Sequence, residues 1–243
     1  MSERNPTHVQ VNRSLFGEFA GWIAGADWDL ALLQEAPPRW FRPLARRCRA
    51  SGALALTARN TGACARGLVA ERNPDLIASG EGGSNQLLAR QPLRVEEVRR
   101  VTLTLRPERR RMLFARIGLP DGRSLCVANL HATASVGDRA AAPEVERAAA
   151  LAVEWSQDGP LLFGGDLNLK PSSVPGLFEE LRERHCLAAP TDARAIDHLL
   201  LRGLDVVRAP VRLEPQQREI GAEQGLSIRL SDHAPVLAAF GMK

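Results

Sequence analysis

The residues best equipped for chemistry in this chain are Asp166 and Asn168, set in Gly164-Gly165-Asp166-Leu167-Asn168 directly after the apolar run Leu161-Leu162-Phe163. A short apolar run bounded by glycines reads as a buried strand ending in a tight turn. Side chains two apart on extended backbone share a face, so this carboxylate and amide can hold a water and a phosphoryl oxygen side by side. Similar polar groups sit at other strand-like runs: Gln10-Val11-Asn12, Gln34-Glu35, Asn129-Leu130-His131, Ile196-Asp197-His198 and Ser231-Asp232-His233-Ala234-Pro235. Taken alone, each is equally well a solvated carboxylate or a satisfied polar side chain. Their recurrence in order at strand ends is what points to one shared site.

The elements that must position these groups alternate along the chain. Strand patterns fall at Val9 to Val11, Leu30 to Leu33, Leu54 to Thr57, Leu68 to Ala70, Gln86 to Ala89, Val95 to Leu105, Met112 to Ile117, Ser124 to Leu130, Ile196 to Leu201, Val206 to Val211 and Val236 to Phe240. Pro120-Asp121-Gly122 predicts a hairpin between Met112–Ile117 and Ser124–Leu130. Helical spacing is seen at Leu15 to Ala24, Arg39 to Cys48, Pro143 to Trp155 and Pro175 to Arg184. Ser79 to Ser84 and Ser135 to Ala142 read as loops. Hairpins argue against a purely parallel sheet and the intervening helices against an all-β protein. The pattern fits an α/β (α+β) chain with two sheets packed face to face and helices outside.

Composition bounds the answer without choosing it. A length of 243 residues with 25% charged and 44% hydrophobic residues suits a single domain spanning 1–243 with a substantial core. Net charge is +4, and all but Lys170 and Lys243 of the 32 basic residues are arginine, a skew that genomic composition bias explains as readily as selection for phosphate contacts. Cys48, Cys64, Cys126 and Cys186 form no Cys-x-x-Cys pair, so neither zinc nor a dithiol centre is signalled, and free thiols in a reducing compartment are expected. Met1 to His8 has no apolar signal-peptide core and no run approaches a membrane span, so a cytoplasmic location and no membrane partner are expected.

With these residues in view, the chain resembles the endonuclease/exonuclease/phosphatase superfamily, the group with the DNase I-like fold. The resemblance runs from about Val9 to Phe240, and its specific elements are Gly-Asp-Leu-Asn at 165–168 and Ser-Asp-His-Ala-Pro at 231–235. Ser84-Asn85-Gln86-Leu87-Leu88-Ala89-Arg90 resembles the family's mid-chain strand. The resemblance implies a four-layer α/β/β/α sandwich in which two packed mixed β-sheets are flanked by helices. It departs at Gln10, where the family carries Asn.

The resemblance also implies roles. Asp166 orients and deprotonates an attacking water, and Asn168 holds that water or a phosphoryl oxygen. His233 contacts the scissile phosphate, and Asp197 fixes its tautomer and favours its protonated form. His131 assists as general acid or phosphate ligand. Glu35 is the principal metal ligand, with Asn12 or Gln10 nearby and Asp232 contributing to the shell or to the hydrogen-bond network. That oxygen-rich donor set suits Mg²⁺ or Mn²⁺. Arg194 and Asn85 are candidate phosphate contacts. The implied activity is hydrolysis of a phosphodiester, with nucleic acid among the substrates and no protein partner predicted. A phosphomonoesterase for a small phosphorylated metabolite or lipid headgroup, and a binding protein without catalysis, are the rival readings. Arg46-Arg47 and Arg109-Arg110-Arg111 are either a nucleic-acid footprint or solvated surface. Trp22, Trp28 and Trp155 lie in or beside helical patterns and are expected to pack.

Overall fold

The computed structural model describes residues 13–57, 63–72, 83–106, 109–134, 137–188, 192–223 and 226–243. Val9 to Val11, with Gln10 and Asn12, lies outside the described residues, as does most of Ser79 to Ser84. The first half contains α1 (Phe16–Gly25), β1 (Leu30–Ala36), a 3₁₀ turn at Pro38–Trp40, α2 (Phe41–Arg47), β2 (Ala50–Leu56), α3 (Ala63–Arg72), β3 (Ser84–Arg90), β4 (Arg94–Thr104) and β5 (Arg110–Gly118). The second half contains β6 (Ser124–His131), α4 (Asp138–Ser156), β7 (Leu161–Asp166), α5 (Pro175–His185), β8 (Asp197–Arg202), β9 (Leu204–Arg212), α6 (Pro215–Arg218), β10 (Glu219–Glu223), β11 (Leu226–Arg229) and β12 (Val236–Met242). No helix among the described residues is long and apolar enough to cross a membrane.

A three-stranded sheet, β1-β3-β2, faces a five-stranded sheet, β4-β5-β6-β7-β8. The larger sheet is mixed, with β6 and β7 parallel and its other pairs antiparallel, and the expected hairpin joins β5 to β6. Strand alternation builds three apolar layers. Leu87 and Ala89 of β3 meet Leu113, Ala115, Ile117, Val127 and Leu162 between the sheets. The opposite faces of the same strands supply Phe114, Ala128, Leu130 and Phe163, which pack under α4 and α5. Leu88 turns outward to α1 and α2. A period of two with apolar residues at both phases is what a strand covered on both faces requires, and the result is an α/β/β/α sandwich. β9 pairs with β12, and Leu204 and Phe240 of that pair rest on the layer between the sheets.

Two expectations are corrected. Leu68 to Ala70 belongs to a helix: the segment Ala-Cys-Ala-Arg-Gly-Leu-Val-Ala-Glu-Arg of α3 is dominated by helix formers, and an apolar triplet is too short to set a strand period. Ser135 to Ala142 is not all loop, because α4 begins at Asp138 and carries Pro143 inside it; the run Asp-Arg-Ala-Ala-Ala extends the helix upstream of the proline. The tryptophans pack as expected. Trp155 is buried with Phe114 at 4.8 Å, and the Arg90 guanidinium lies 4.0 Å over Trp28 while bonding carbonyls at the end of α1.

Candidate active site

Asp166 ends β7, and strand register places it in a row. It pairs with His131 across the parallel β6–β7 ladder and with Asp197 across the antiparallel β7–β8 ladder. Directly paired residues project on the same face, so three polar side chains from three strands meet at one sheet end. The glycines before Asp166 are required by crowding. Gly165 has φ +125°, and a Cβ there would lie 2.0 Å from the Leu130 carbonyl oxygen. Past the strand, Asn168 takes the left-handed conformation, donates its backbone N–H to Asp166 Oδ1 at 3.0 Å and its side-chain amide to the Ala132 carbonyl at 3.0 Å. This Asx turn follows from the short polar side chains of the pair.

The loop before β12 brings His233 to this row. Its backbone N–H is received by Ser231 Oγ, and Arg218 donates to the Ser231 and Asp232 carbonyls. His233 Nδ1 lies 3.1 and 3.0 Å from the two Asp197 oxygens, and its Nε2 lies 3.9 Å from Asp166 Oδ2. The hydrogen bond to Asp197 raises the His233 pKa to about 9 against the opposing effect of burial. Burial, then the Asp197 charge, push the Asp166 carboxyl up to about 6. A base that is ionised near neutrality thus stands beside an acid that is still protonated there.

His131 is buried on the other side of Asp166, with Nε2 3.5 Å from Asp166 Oδ2. Arg110, also buried, lies 3.1 Å from His131 Nδ1 through Nη1. A guanidinium only donates, so Nδ1 accepts and the ring proton belongs on Nε2, facing Asp166. Burial, then the Arg110 charge, bring the His131 pKa down to about 3. The ring is therefore neutral at ordinary pH, which suits a hydrogen-bond donor and works against the general-acid role. Glu35, at positive φ, presents a largely exposed carboxylate 3.8 Å from His131 Nδ1. Gln34, its neighbour, donates to Asn129 Oδ1 at 2.7 Å, while Asn129 Nδ2 reaches the Leu33 and Gln86 carbonyls. One buried amide on β6 thereby ties β1 and β3 to the larger sheet just below the site.

The structure thus brings together Asp166, Asn168, Asp197, His233, His131 and Glu35. Other sequence candidates fall elsewhere. Asp232 is exposed, and its charge adds to the field that keeps His233 protonated. Arg194 is exposed in an Asx turn closed by Asp192. Asn85 is fully buried, donating to the Arg111 carbonyl at 2.9 Å, so it serves packing rather than an accessible phosphate. Arg110 and Asn129 contact the site residues His131 and Gln34 in ways the sequence did not assign them. Arg110 was hidden in a basic triplet that read as either a nucleic-acid footprint or solvated surface, and the contacts of Asn129 span 95 and 96 residues.

For a divalent cation, the donor chemistry fits. Asp166, Asp197 and His233 offer ligand atoms within 4.8 Å of one another, although Asp197 already holds the His233 ring through both oxygens. Glu35 and Asp197 both push the Asp166 pKa upward, the sign of carboxylates repelling across a shared space that a cation would relieve. Oxygen donors of this kind suit Mg²⁺ or Mn²⁺.

The sequence profile of the Endonuclease/Exonuclease/phosphatase family matches residues 12–233. The chain belongs to this family. Its members are hydrolases acting on phosphoester bonds. The sequence matches none of the curated proteins at a significant level. Among solved structures, a family protein from Bacteroides thetaiotaomicron superposes with a TM-score of 0.67 at 14% identity, over 94% of this chain and 89% of that one. The human Nocturnin catalytic domain with bound sulfate gives 0.65 at 16% identity, over 97% and 90%. D. rerio TDP2 complexed with a single-strand DNA product gives 0.63 at 14% identity, over 93% and 91%. At these identities the likeness establishes the DNase I-like fold.

Proposed function

We propose that this chain is a divalent-metal-dependent phosphodiesterase that hydrolyses its substrate by attack of an activated water, with nucleic acid as the substrate class. The observation that carries the reading is the geometry of the row: Asp197 holds His233 through Nδ1 at 3.0 and 3.1 Å, which turns Nε2 toward Asp166 Oδ2, 3.9 Å away, and raises the His233 pKa while burial raises that of Asp166. Ester hydrolysis needs a base for the water and a cation for the developing charge on the phosphoryl oxygens.

In this reading Asp166 takes the proton of the attacking water, which Asn168 orients. The protonated His233 donates through Nε2 to a phosphoryl oxygen, and Asp197 holds its ring and its charge. His131 donates from Nε2 and fixes the Asp166 carboxylate. Glu35 would hold Mg²⁺ or Mn²⁺, with Gln10 and Asn12 as further oxygen donors, while Asp232 adds its charge to the field at His233. When bound, the ion supplies charge neutralisation on the phosphate. The TDP2 structure with single-strand DNA supports nucleic acid as the substrate class on this fold. The free thiols of Cys48, Cys126 and Cys186 support a reducing, cytoplasmic setting.

The test is turnover of bis-p-nitrophenyl phosphate and of p-nitrophenyl phosphate with Mg²⁺, with Mn²⁺ and with EDTA, beside Asp166→Asn. Metal-dependent diester cleavage lost in the variant is expected. Cleavage of the monoester alone would make the chain a phosphomonoesterase, and cleavage of neither would leave a binding protein.

A further inference from the structure

β2 is the outer strand of its sheet, and its exposed edge carbonyls are covered from the opposite sheet. Arg100 Nε on β4 donates to the Leu54 carbonyl at 2.6 Å, and Arg109 Nη2, just before β5, donates to the Leu56 carbonyl at 3.4 Å. Covering an open edge in this way is a structural use for arginine, but it gathers guanidinium groups in one place. Arg111 joins them. Burial, then the charges of Arg109 and Arg100, pull its pKa below the usual arginine range. Its Nε is buried with no hydrogen-bond partner.

Neither Arg100 nor Arg111 is paired with a carboxylate among the described residues, whereas Arg99 and Arg116, on the same two strands, share Glu97 at 3.0 and 3.5 Å. Like charges that are partly desolvated and lack a counter-ion are costly, and an anion is what such a cluster accepts. Arginine forks match phosphate oxygens in geometry as well as charge.

The cluster also adjoins the site. Gly83 fills the gap between Glu35 and Thr57: a Cβ on it would lie 3.4 Å from both Glu35 Cα and Thr57 Oγ1. The carbonyl that receives Arg109 belongs to Leu56, the residue before Thr57. Arg110, between Arg109 and Arg111, reaches into the site itself at His131.

We propose that Arg100 and Arg111, with Arg109 at the rim, form an anion subsite on the Glu35 side that holds a second, uncleaved phosphate of a polynucleotide strand. The proposal rests on the phosphodiesterase reading for the position of the first phosphate, between Asp166 and His233. A strand supplies phosphates in series and fills both places. A small diester with one phosphate fills only the first.

The experiment measures fluorescence anisotropy of a labelled oligothymidylate across a salt series in EDTA, where no turnover occurs, for wild type, Arg100→Gln, Arg111→Gln and Arg111→Lys. Turnover of bis-p-nitrophenyl phosphate in Mg²⁺ and thermal melting are measured alongside. Each Gln variant is expected to weaken oligothymidylate binding about tenfold, the size of one charge-assisted hydrogen bond, and to lower the slope of log affinity against log salt by about one. Arg111→Lys should keep the slope and lose part of the affinity. Small-diester turnover should stay unchanged; Arg111→Gln, which relieves the crowding, should melt no lower than wild type, and Arg100→Gln, which gives up the Leu54 contact, slightly lower. Unaltered affinity and slope in both Gln variants would overturn the subsite, as would parallel loss of oligothymidylate binding and small-diester turnover. Arginine-dependent binding without cleavage of any diester would sink the catalytic reading and leave the subsite standing.

Discussion

Asp197 places both carboxylate oxygens on Nδ1 of His233, at 3.1 and 3.0 Å, and the same charge raises the pKa of Asp166 on the next strand. One carboxylate thus bears on both proton affinities on which the proposed reaction depends, as the main cause for His233 and second to burial for Asp166. It stabilises the imidazolium by attraction and disfavours the Asp166 anion by repulsion.

The pH dependence follows with a definite sign. Asp166 must be ionised and His233 protonated, so diester hydrolysis should rise as pH passes about 6 and fall as it passes about 9. Asp197→Asn removes the largest cause of the raised His233 pKa and one cause of the raised Asp166 pKa. Both limbs should move to lower pH, the alkaline one toward the ordinary histidine value of about 6.5. The rate at pH 8 should fall by about 10²–10⁴-fold. A pH–rate profile of both proteins checks this, and an alkaline limb that stays near 9 would exclude Asp197 as its cause.

Asp166→Asn should stabilise the protein that it inactivates. The folded-state pKa of about 6 lies above the ordinary 3.8. The stability contributed by protonated Asp166 is therefore complete below about 3.8 and lost as pH rises through about 6. Asparagine keeps the shape and the acceptor for the Asn168 N–H without the charge. Melting in EDTA at pH 8 should show a gain on the order of 2 kcal/mol, or about 4–8 °C for a chain of this size. At pH 4 most of the gain should vanish. An equal gain at both pH values would mean that the carboxylate is not strained by its surroundings.

Arg110 is expected to act through His131. Arg110→Ala removes the donor that holds the ring proton on Nε2 and leaves a buried acceptor unpaired. A loss of about 10–100-fold in kcat with little change in KM is expected, by analogy with other residues that orient a histidine. Guanidinium ion should restore part of the rate by refilling the gap. Nitrogen NMR of the His131 ring should show the Nδ1–H tautomer gaining population in the variant. A ring tautomer that does not respond would reduce Arg110 to packing.

The strand ends that carry the chemistry were legible because their signals are local. Gly164-Gly165-Asp166 marks a crowded turn and Ser231-Asp232-His233 a capped loop, and both depend on neighbours in sequence. The sandwich was legible because hairpin signals argued against a purely parallel sheet and the intervening helices against an all-β one, and the family motifs implied its four layers. Contacts that close over distance were not. Nothing local distinguishes the buried Arg110 from the edge-covering Arg109, so the triplet read as footprint or surface. Asn85 was a candidate through the resemblance of its strand to the family's, which does not say how deeply the side chain is buried. The short α6 and the β10–β11 hairpin escaped because their runs are too brief for a period to show.

Asn129 gives the sharpest test of how that distant packing serves the site. Its side chain accepts from Gln34 and donates to the Leu33 and Gln86 carbonyls, joining both sheets at the residue beside Glu35. Asn129→Ala leaves a buried amide and buried carbonyls without partners, at a cost of about 2–4 kcal/mol in chemical denaturation. Asn129→Asp should cost more, because it sets a buried carboxylate against two carbonyl oxygens. With β1 released, Glu35 loses its fixed position, so the Mg²⁺ concentration for half-maximal diester turnover should rise about tenfold or more. Denaturation and metal titration of the two variants separate the effects. A loss of stability with an unchanged metal requirement would show that Glu35 is held by its own strand and not by the clamp between the sheets.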